Sequence, residues 1–233
     1  LVMLTHFFKK SNTLRLQFSK EIFRLFGRIT VNGFSSFIID VAMGVLTMLF
    51  NRQIMKYLGT DALAVYGVIV SVSTLVQCCS YGIGQASQPI ISQNYGAGNV
   101  GRIKKMLRYN IITAAIFGAV WAAITFAVPN GLIRLFMTPT ASVLAIAPAI
   151  IRIYGSSFLL LSFNVYSTYY FQATMRAKTS MFVSVARGIL ISGALILIIP
   201  VTLGADMIWW AMPVTELVVA VFAGAMMAKK IQL

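Results

Sequence analysis

The sequence predicts an all-α, polytopic membrane protein that crosses a lipid bilayer about six times. Of its 233 residues, 59% are hydrophobic and only 10% are charged, whereas about a quarter of an ordinary soluble domain is charged. The apolar residues form long runs, and most charged residues stand in short clusters between those runs. A chain with so little polar surface is suited to lipid as its main solvent.

The positions of apolar runs, glycines, prolines and charges divide the chain into two parts. Segment 1–28 mixes basic and apolar residues at roughly helical spacing, which indicates an amphipathic helix or linker at the cytoplasmic membrane surface. Segment 29–233 is predicted to form one six-helix transmembrane lobe. Its spans are predicted at about 29–54, 62–92, 106–128, 142–175, 180–203 and 207–228.

Two spans carry additional expectations. The fourth is longer than one straight crossing, so we expect it to be tilted or kinked, or to begin in the membrane interface. Trp209 and Trp210 stand at the start of the sixth span, where an aromatic pair suits the outer interface.

The distribution of basic residues predicts the orientation. With a cytoplasmic start, 14 of the 19 Lys and Arg residues fall in cytoplasmic segments, 4 fall outside, and Arg187 lies within a span. This bias favours a multi-pass protein of the cell (inner) membrane with both termini in the cytoplasm. Because the basic residues sit beside apolar runs, membrane lipid is the expected partner and nucleic acid is not.

The residue types needed for enzyme chemistry are missing, so an enzyme is not expected. There is no Ser/His/Asp set, no pair of catalytic carboxylates and no P-loop, and residues 82–84 lack the remainder of a dinucleotide motif. Cys78 and Cys79 are adjacent, which is unsuited to a disulfide, and we expect them to be small buried hydrophobes. With His6 as the only histidine, neither a metal nor a cofactor is expected.

Asp40, near the middle of the first predicted span, is the clearest candidate for function. A lone carboxylate inside a bilayer is costly unless it faces water, a cation or a partner. Such a group can exchange a proton for a cation. A carboxyl that is hydrogen-bonded to a neighbouring helix is the structural alternative.

Glu216 is the second carboxylate predicted inside a span, just past Pro213. Arg187 in the preceding span can reach it, so we favour a structural Arg187–Glu216 pair. A proton or substrate site is the alternative, since a proline break frees backbone groups that can bind ions. Polar residues also cluster in the fourth span, where they indicate a cavity wall or interhelical hydrogen bonds. The candidates there are Asn164, Tyr166, Tyr169 and Gln172.

Three motifs resemble the multidrug and toxic compound extrusion (MATE) family, and its MepA-like branch in particular. Residues 81–99 read YGIGQASQPIISQNYGAGN, which is similar to the end of helix eight and the loop after it. Residues 170–187 resemble the junction of helices ten and eleven, and residues 213–216, PVTE, resemble a motif of helix twelve. The resemblance covers nearly all of 15–230.

The resemblance implies a secondary antiporter that exports organic cations or drugs in exchange for protons or sodium. Family members have twelve helices in two lobes, so this chain would be the C-terminal six-helix lobe. An N-terminal lobe missing from this sequence is then the expected partner, and a fragment is favoured over a natural half-transporter. Asp40 matches the place where some members carry a cation-binding acid in helix seven. The fourth span lacks the acid that sodium-binding members add in helix ten.

Two other functions are consistent with the sequence. A lipid-linked oligosaccharide flippase of the same superfamily would need several central basic residues for an anionic lipid, and here only Arg187 lies within a span. A non-transporting membrane scaffold subunit would tolerate the replacement of Asp40 and Glu216.

Overall fold

The structure, a computed structural model, describes residues 44–228 together with Phe26 and Val41. The chain divides into two compact units, Leu1–Asp40 and Val41–Leu233, and every described residue except Phe26 lies in the second. The described residues form helices and include no β-strand, which confirms the all-α prediction. The predicted surface helix at 1–28 and the candidate Asp40 lie outside the described residues.

Within the described part of the chain, nine α-helices follow one another. They are α1 (44–57), α2 (Gly59–Gly96), α3 (Val100–Ala127), α4 (Pro129–Phe136), α5 (Ala141–Gly155), α6 (Phe158–Ala173), α7 (Ala177–Val185), α8 (Ile191–Thr202) and α9 (Ala211–Ala228). A π-helical turn, Ala186–Leu190, joins α7 to α8, and a 3₁₀-helix, Ala205–Trp210, precedes α9.

Among the described residues, five helical segments are long and apolar enough to cross a membrane. They are α2, α3, α5 with α6, α7 with α8, and the 3₁₀-helix with α9. Large apolar side chains stand exposed along them, such as Ile116, Val201 and Val221. An apolar exterior on membrane-length helices makes this a multi-pass membrane protein. The first predicted span, 29–54, is described continuously only from residue 44, at the start of α1.

The fourth predicted span is broken at Ser156 and Ser157, between α5 and α6. The hydroxyl of Ser156 donates to the carbonyl oxygen of Ile153 at 2.7 Å, and the Ser157 N–H donates to that of Tyr154 at 3.0 Å. Serine hydroxyls that bond back to the preceding turn bend helices. The 33-residue segment Ala141–Ala173 therefore crosses as two helices and not as one straight rod.

A polar layer divides the apolar core into two clusters. One cluster contains the stacked rings of Phe50 and Tyr66, whose centroids lie 4.8 Å apart. The other is built around α6 and includes Tyr166 and Tyr170. Between them, on α2, α6 and α9, lie Ser80, Asn164 and Glu216, all 0% exposed. The central helix is α6, which packs against α2, α3, α7 and α9.

The prediction that both tryptophans lie at the outer interface is wrong for Trp209. Its side chain is buried, and its ring centroid lies 6.4 Å from that of Tyr66, whereas Trp210 is exposed. Successive residues of a 3₁₀-helix point about 120° apart, so one tryptophan can be buried while the next faces outward. Trp209 therefore belongs to the core, and only Trp210 remains available for the interface.

Two glycines allow α3 to lie close to α5 and α6. A Cβ atom on Gly118 would lie 2.7 Å from the backbone oxygens of both Phe158 and Leu159. A Cβ atom on Gly155 would collide with the side chain of Thr125. Small residues at such crossings permit the close packing that holds membrane helices together.

We predict that Gly118→Ala lowers the stability of the protein by about 1–3 kcal/mol, because the added methyl group meets backbone that cannot rotate away. The melting temperature of the purified protein in detergent measures this. Gly193→Ala in α8 is the matched control, since a Cβ atom there meets nothing within 4 Å. Its melting temperature should stay the same or rise, because alanine favours helix. Equal melting temperatures for the two variants would contradict the proposed close contact.

Candidate functional site

An ion pair between partly buried Arg187 and fully buried Glu216 lies in the polar layer and, with Asn164, joins three helical segments. The Nε of Arg187, in the π-helical turn, donates to Glu216 Oε1 at 2.6 Å. The side-chain amide of Asn164 donates to Glu216 Oε2 at 2.6 Å and to the Glu216 backbone oxygen at 2.8 Å. Each carboxylate oxygen of Glu216 thus has a donor. The structure therefore brings together the predicted Arg187–Glu216 pair and the candidate Asn164.

The π-helical turn gives Arg187 its position. A π-turn inserts one residue into an α-helix, and such turns are frequent at functional sites. Here the widened turn covers Ala186–Leu190, and the hydroxyl of Ser192 donates to the Arg187 carbonyl oxygen at 2.9 Å. The serine hydroxyl therefore satisfies the Arg187 carbonyl oxygen, whose intrahelical hydrogen bond the irregular turn would weaken.

Pro213 has a different role from the one predicted. It is the third residue of α9, where a helix needs no backbone donor, so it does not interrupt the helix beside Glu216. The change from 3₁₀- to α-helix occurs before it, at Ala211. The backbone around Glu216 is therefore regular α-helix, which gives no freed carbonyls for an ion site there.

A second polar group, here called the polar α2–α6 face, consists of paired side chains on those two helices. The hydroxyls of Ser80 and Ser162 lie 2.8 Å apart in the core. Further along, the Gln85 amide donates to the Tyr169 hydroxyl at 3.3 Å. The remaining members are Tyr81, whose ring centroid lies 6.3 Å from that of Tyr169, and Gln88, whose amide donates to Gln172 Oε1 at 3.3 Å.

The polar α2–α6 face runs from the core to the surface of the helix bundle. Ser80 and Ser162 are buried, Tyr169 is half-buried, and Gln85 and Gln172 are exposed. Gly84 makes this possible, because a Cβ atom there would collide with the ring of Tyr169. The tyrosine ring therefore lies directly on the backbone of α2.

The predicted candidates separate into distinct places. Tyr169 and Gln172 belong to the polar α2–α6 face, and Asn164 belongs to the ion pair. Tyr166 joins neither, since it is 0% exposed and packs against Tyr170 in the second apolar cluster. It follows that Tyr166 is a core residue in this structure.

Sequence reasoning missed the α2 half of the polar face. Tyr81, Gln85 and Gln88 follow the spacing i, i+4, i+7, which places them on one side of a helix. That spacing within an apolar run was the signal that could have identified them.

The two cysteines contradict the expectation of burial. Cys78 and Cys79 are both exposed and both free on α2. A thiol is apolar enough to face lipid at little cost, so an exposed position in this fold does not require a partner. Among the described residues, no group of three His, Cys, Asp or Glu side chains is placed to hold a metal.

The family model described as MatE matches residues 34–199 of this chain. The class defined by the fold, a multi-pass bundle of membrane-length helices, agrees with that match. The chain belongs to the MatE family.

Curated relatives include two bacterial proteins. The multidrug export protein MepA of Staphylococcus saprophyticus is 24% identical over 225 residues, which are 96% of this chain and 49% of MepA. The probable multidrug resistance protein YoeA of Bacillus subtilis is 27% identical over 171 residues, covering 73% of this chain and 35% of YoeA. The chain thus spans about half the length of MepA, and its match to YoeA covers 35% of that protein.

Solved structures show the same fold. The outward-facing conformation of a multidrug resistance MATE family transporter of the MOP superfamily superposes with a TM-score of 0.82 at 19% identity, over 97% of this chain and 51% of that one. A MOP superfamily transporter from Pyrococcus furiosus, described as having a binding pocket of reverse polarity, gives 0.78 at 16% identity, over 97% and 52%.

We predict that Glu216→Gln and Arg187→Met each destabilise the protein by about 3–5 kcal/mol, because each leaves a buried group without its partner. The double variant should lose less than the two single variants added together. Melting temperatures in detergent measure the cycle.

Arg152→Gln is the control for loss of an arginine, since Arg152 is exposed and donates only to the Phe126 carbonyl oxygen in the described structure. It should change stability by less than about 1 kcal/mol. Additive losses in the double variant would show that the Arg187–Glu216 contact is not energetically coupled.

Proposed function

We propose that this chain is the C-terminal six-helix lobe of a secondary antiporter that exports organic cations in exchange for protons or sodium. Support comes from the family, from relatives named as multidrug export proteins, and from their length, about twice that of this chain. A second six-helix lobe would complete the transport cavity, because alternating-access sites form between two such halves.

The observation that carries this proposal is the polar α2–α6 face. Gln85 and Gln172 expose amides on helices whose other exposed side chains are mainly apolar. Amides facing lipid would lose hydrogen bonds without compensation, so such a face is suited to a water-filled cavity. The rings of Tyr81 and Tyr169 add aromatic surface, which attracts organic cations through the ring quadrupole. A neutral polar and aromatic wall of this kind suits substrates that are large, cationic and chemically varied.

Asp40 is our proposed coupling residue, and Glu216 is not. Both carboxylate oxygens of Glu216 accept a hydrogen bond at 2.6 Å, one from buried Asn164 and one from partly buried Arg187, which favours a fixed structural carboxylate. The fourth predicted span, 142–175, contains no Asp or Glu that could complete a sodium site with Asp40. Of the two proposed ions, protons therefore fit the residues better, and no other cofactor is needed.

The charge balance of the described lobe argues against the flippase alternative. An anionic lipid carrier needs unpaired basic groups in its cavity, but the Arg187 guanidinium is neutralised by Glu216 within the lobe. The scaffold alternative assigns no use to exposed amides on membrane helices. We further propose that the protein resides in the cell membrane with both termini cytoplasmic, since the basic residues are biased to that side, and that it has no enzymatic activity.

The first test is Gln172→Leu, assayed as ethidium efflux from drug-sensitive cells that express the natural protein in which this chain occurs. We expect efflux to fall about tenfold, because the change removes one amide pair and makes the cavity wall apolar. Gln93→Leu is the matched control, since Gln93 lies about 140° around α2 from Gln88. It should retain full efflux at equal expression. Unchanged efflux in Gln172→Leu would remove this face from the substrate path.

The second test is Asp40→Asn in the same cells. We expect efflux driven by a proton or sodium gradient to be lost, because the neutral amide cannot exchange a cation for a proton. Binding of ethidium to the purified variant should persist, which separates coupling from substrate recognition. Asp61→Asn, in the first turn of α2, is the control for loss of an aspartate. Gradient-driven efflux that survives Asp40→Asn would overturn the coupling proposal.

A further inference from the structure

A cavity of about 450 Å³ lies away from both sites described above. It is bounded by the α1–α2 turn, by α5 and by the 3₁₀-helix before α9, and its lining includes Ala62, Ala149, Asp206 and Trp209. Pockets for small organic ligands generally measure about 300–1,000 Å³. Asp206 precedes Glu216 by ten residues along the last span, which separates the cavity from the ion pair by roughly 15 Å.

The 3₁₀-helix places one exposed carboxylate and one buried indole against this cavity. Side chains at positions i and i+3 of a 3₁₀-helix lie one above the other, and Asp206 and Trp209 have this spacing within Ala205–Trp210. Both line the cavity. The turn into this helix depends on Gly204, whose φ of 102° is strained for any residue with a side chain.

The opposite wall is apolar and recessed. Ala145, Ala149 and Ile153 follow the spacing i, i+4, i+8 on α5, so they lie along one side of that helix and line the cavity together. Both alanines are exposed. Their short side chains leave the space that the cavity occupies.

The charge of this cavity is negative. Asp206 is exposed, and none of the described residues that line the cavity is a lysine, arginine or histidine. Within the part of the chain that the structure describes, the ion pair found is Arg187–Glu216, so no salt bridge there neutralises Asp206. An exposed carboxylate beside an apolar alanine wall combines the two features that attract a cation with an apolar body.

We propose that this cavity binds a lipophilic organic cation, held by the Asp206 carboxylate and the apolar lining. The inference goes beyond the proposed export, because it assigns a second cation site away from the polar α2–α6 face. It does not depend on transport, since binding can be measured when no cation is exported.

The test is protection of a thiol introduced by Ala149→Cys, after all other cysteines, including Cys78 and Cys79, are replaced by serine. The full natural protein is placed in phosphatidylglycerol nanodiscs, and maleimide labelling is timed with and without tetraphenylphosphonium. Labelling should slow about tenfold when the cation is at ten times its Kd, since only the unoccupied fraction reacts. Asp206→Asn should raise the concentration needed for protection about tenfold, because the attraction of the carboxylate is lost.

Matched variants make the result specific. Asp206→Glu keeps the charge and should retain protection, and Asp61→Asn removes a nearby charge that does not line the cavity and should also retain it. A thiol introduced by Ala141→Cys, on α5 but outside the cavity, should react at the same rate with and without the cation. Size-exclusion elution and melting temperature confirm that each variant is folded.

Several outcomes would overturn the proposal. The first is a thiol at position 149 that does not react with maleimide even without the cation. The second is a labelling rate that about 1 mM tetraphenylphosphonium leaves unchanged. The third is protection in Asp206→Asn that equals that of the parent at the same cation concentration. Protection by phosphatidylcholine nanodiscs alone would assign the cavity to a choline headgroup and exclude a soluble cation as its occupant. None of these results alters the efflux tests, so the two proposals fail separately.

Discussion

The carboxylate of Glu216 is completely buried in a bundle of membrane-length helices. Its two oxygens accept hydrogen bonds from Arg187 and Asn164, each at 2.6 Å. Neither lipid nor the apolar core can solvate a charge, so the carboxylate is tolerated only while both donors stay in place. Because these donors come from the π-helical turn and from α6, the pair sets the register of α9 against both. The two apolar clusters then pack on either side of this polar layer.

One helix serves both the ion pair and the proposed cavity wall. On α6, Asn164 faces Glu216 of α9, while Tyr169 and Gln172 face α2. A rotation of α6 that moves Gln172 also moves Asn164 away from its carboxylate. The ion pair therefore holds the polar α2–α6 face in one orientation, and its charges cancel within the lobe. The polar α2–α6 face is therefore a neutral wall, whereas the cavity at Asp206 is lined by a carboxylate.

Much of the fold and part of the site could be predicted from local sequence. Membrane spans follow from apolar runs and their glycine and proline ends, because a bilayer sets the length that a helix needs. The Arg187–Glu216 contact was favoured because two opposite charges in adjacent spans have few other partners. The burial of Trp209 and Tyr166 and the exposure of Cys78 and Cys79 could not be predicted in this way. In an apolar run, the lipid side and the protein side of a helix have similar composition.

The sequence by itself determined that this protein is an all-helical, multi-pass membrane protein, since its composition leaves lipid as the only suitable solvent. It also identified Arg187 and Glu216 as charged residues within spans, because each is too costly to be accidental. Tertiary structure alone decided which polar residues share a site. The pairing of Gln85 with Tyr169, and of Asp206 with an alanine wall on α5, joins residues more than 50 positions apart in the chain. Only the packing of helices, governed by close approach at Gly84 and Gly118, sets which sides of those helices meet.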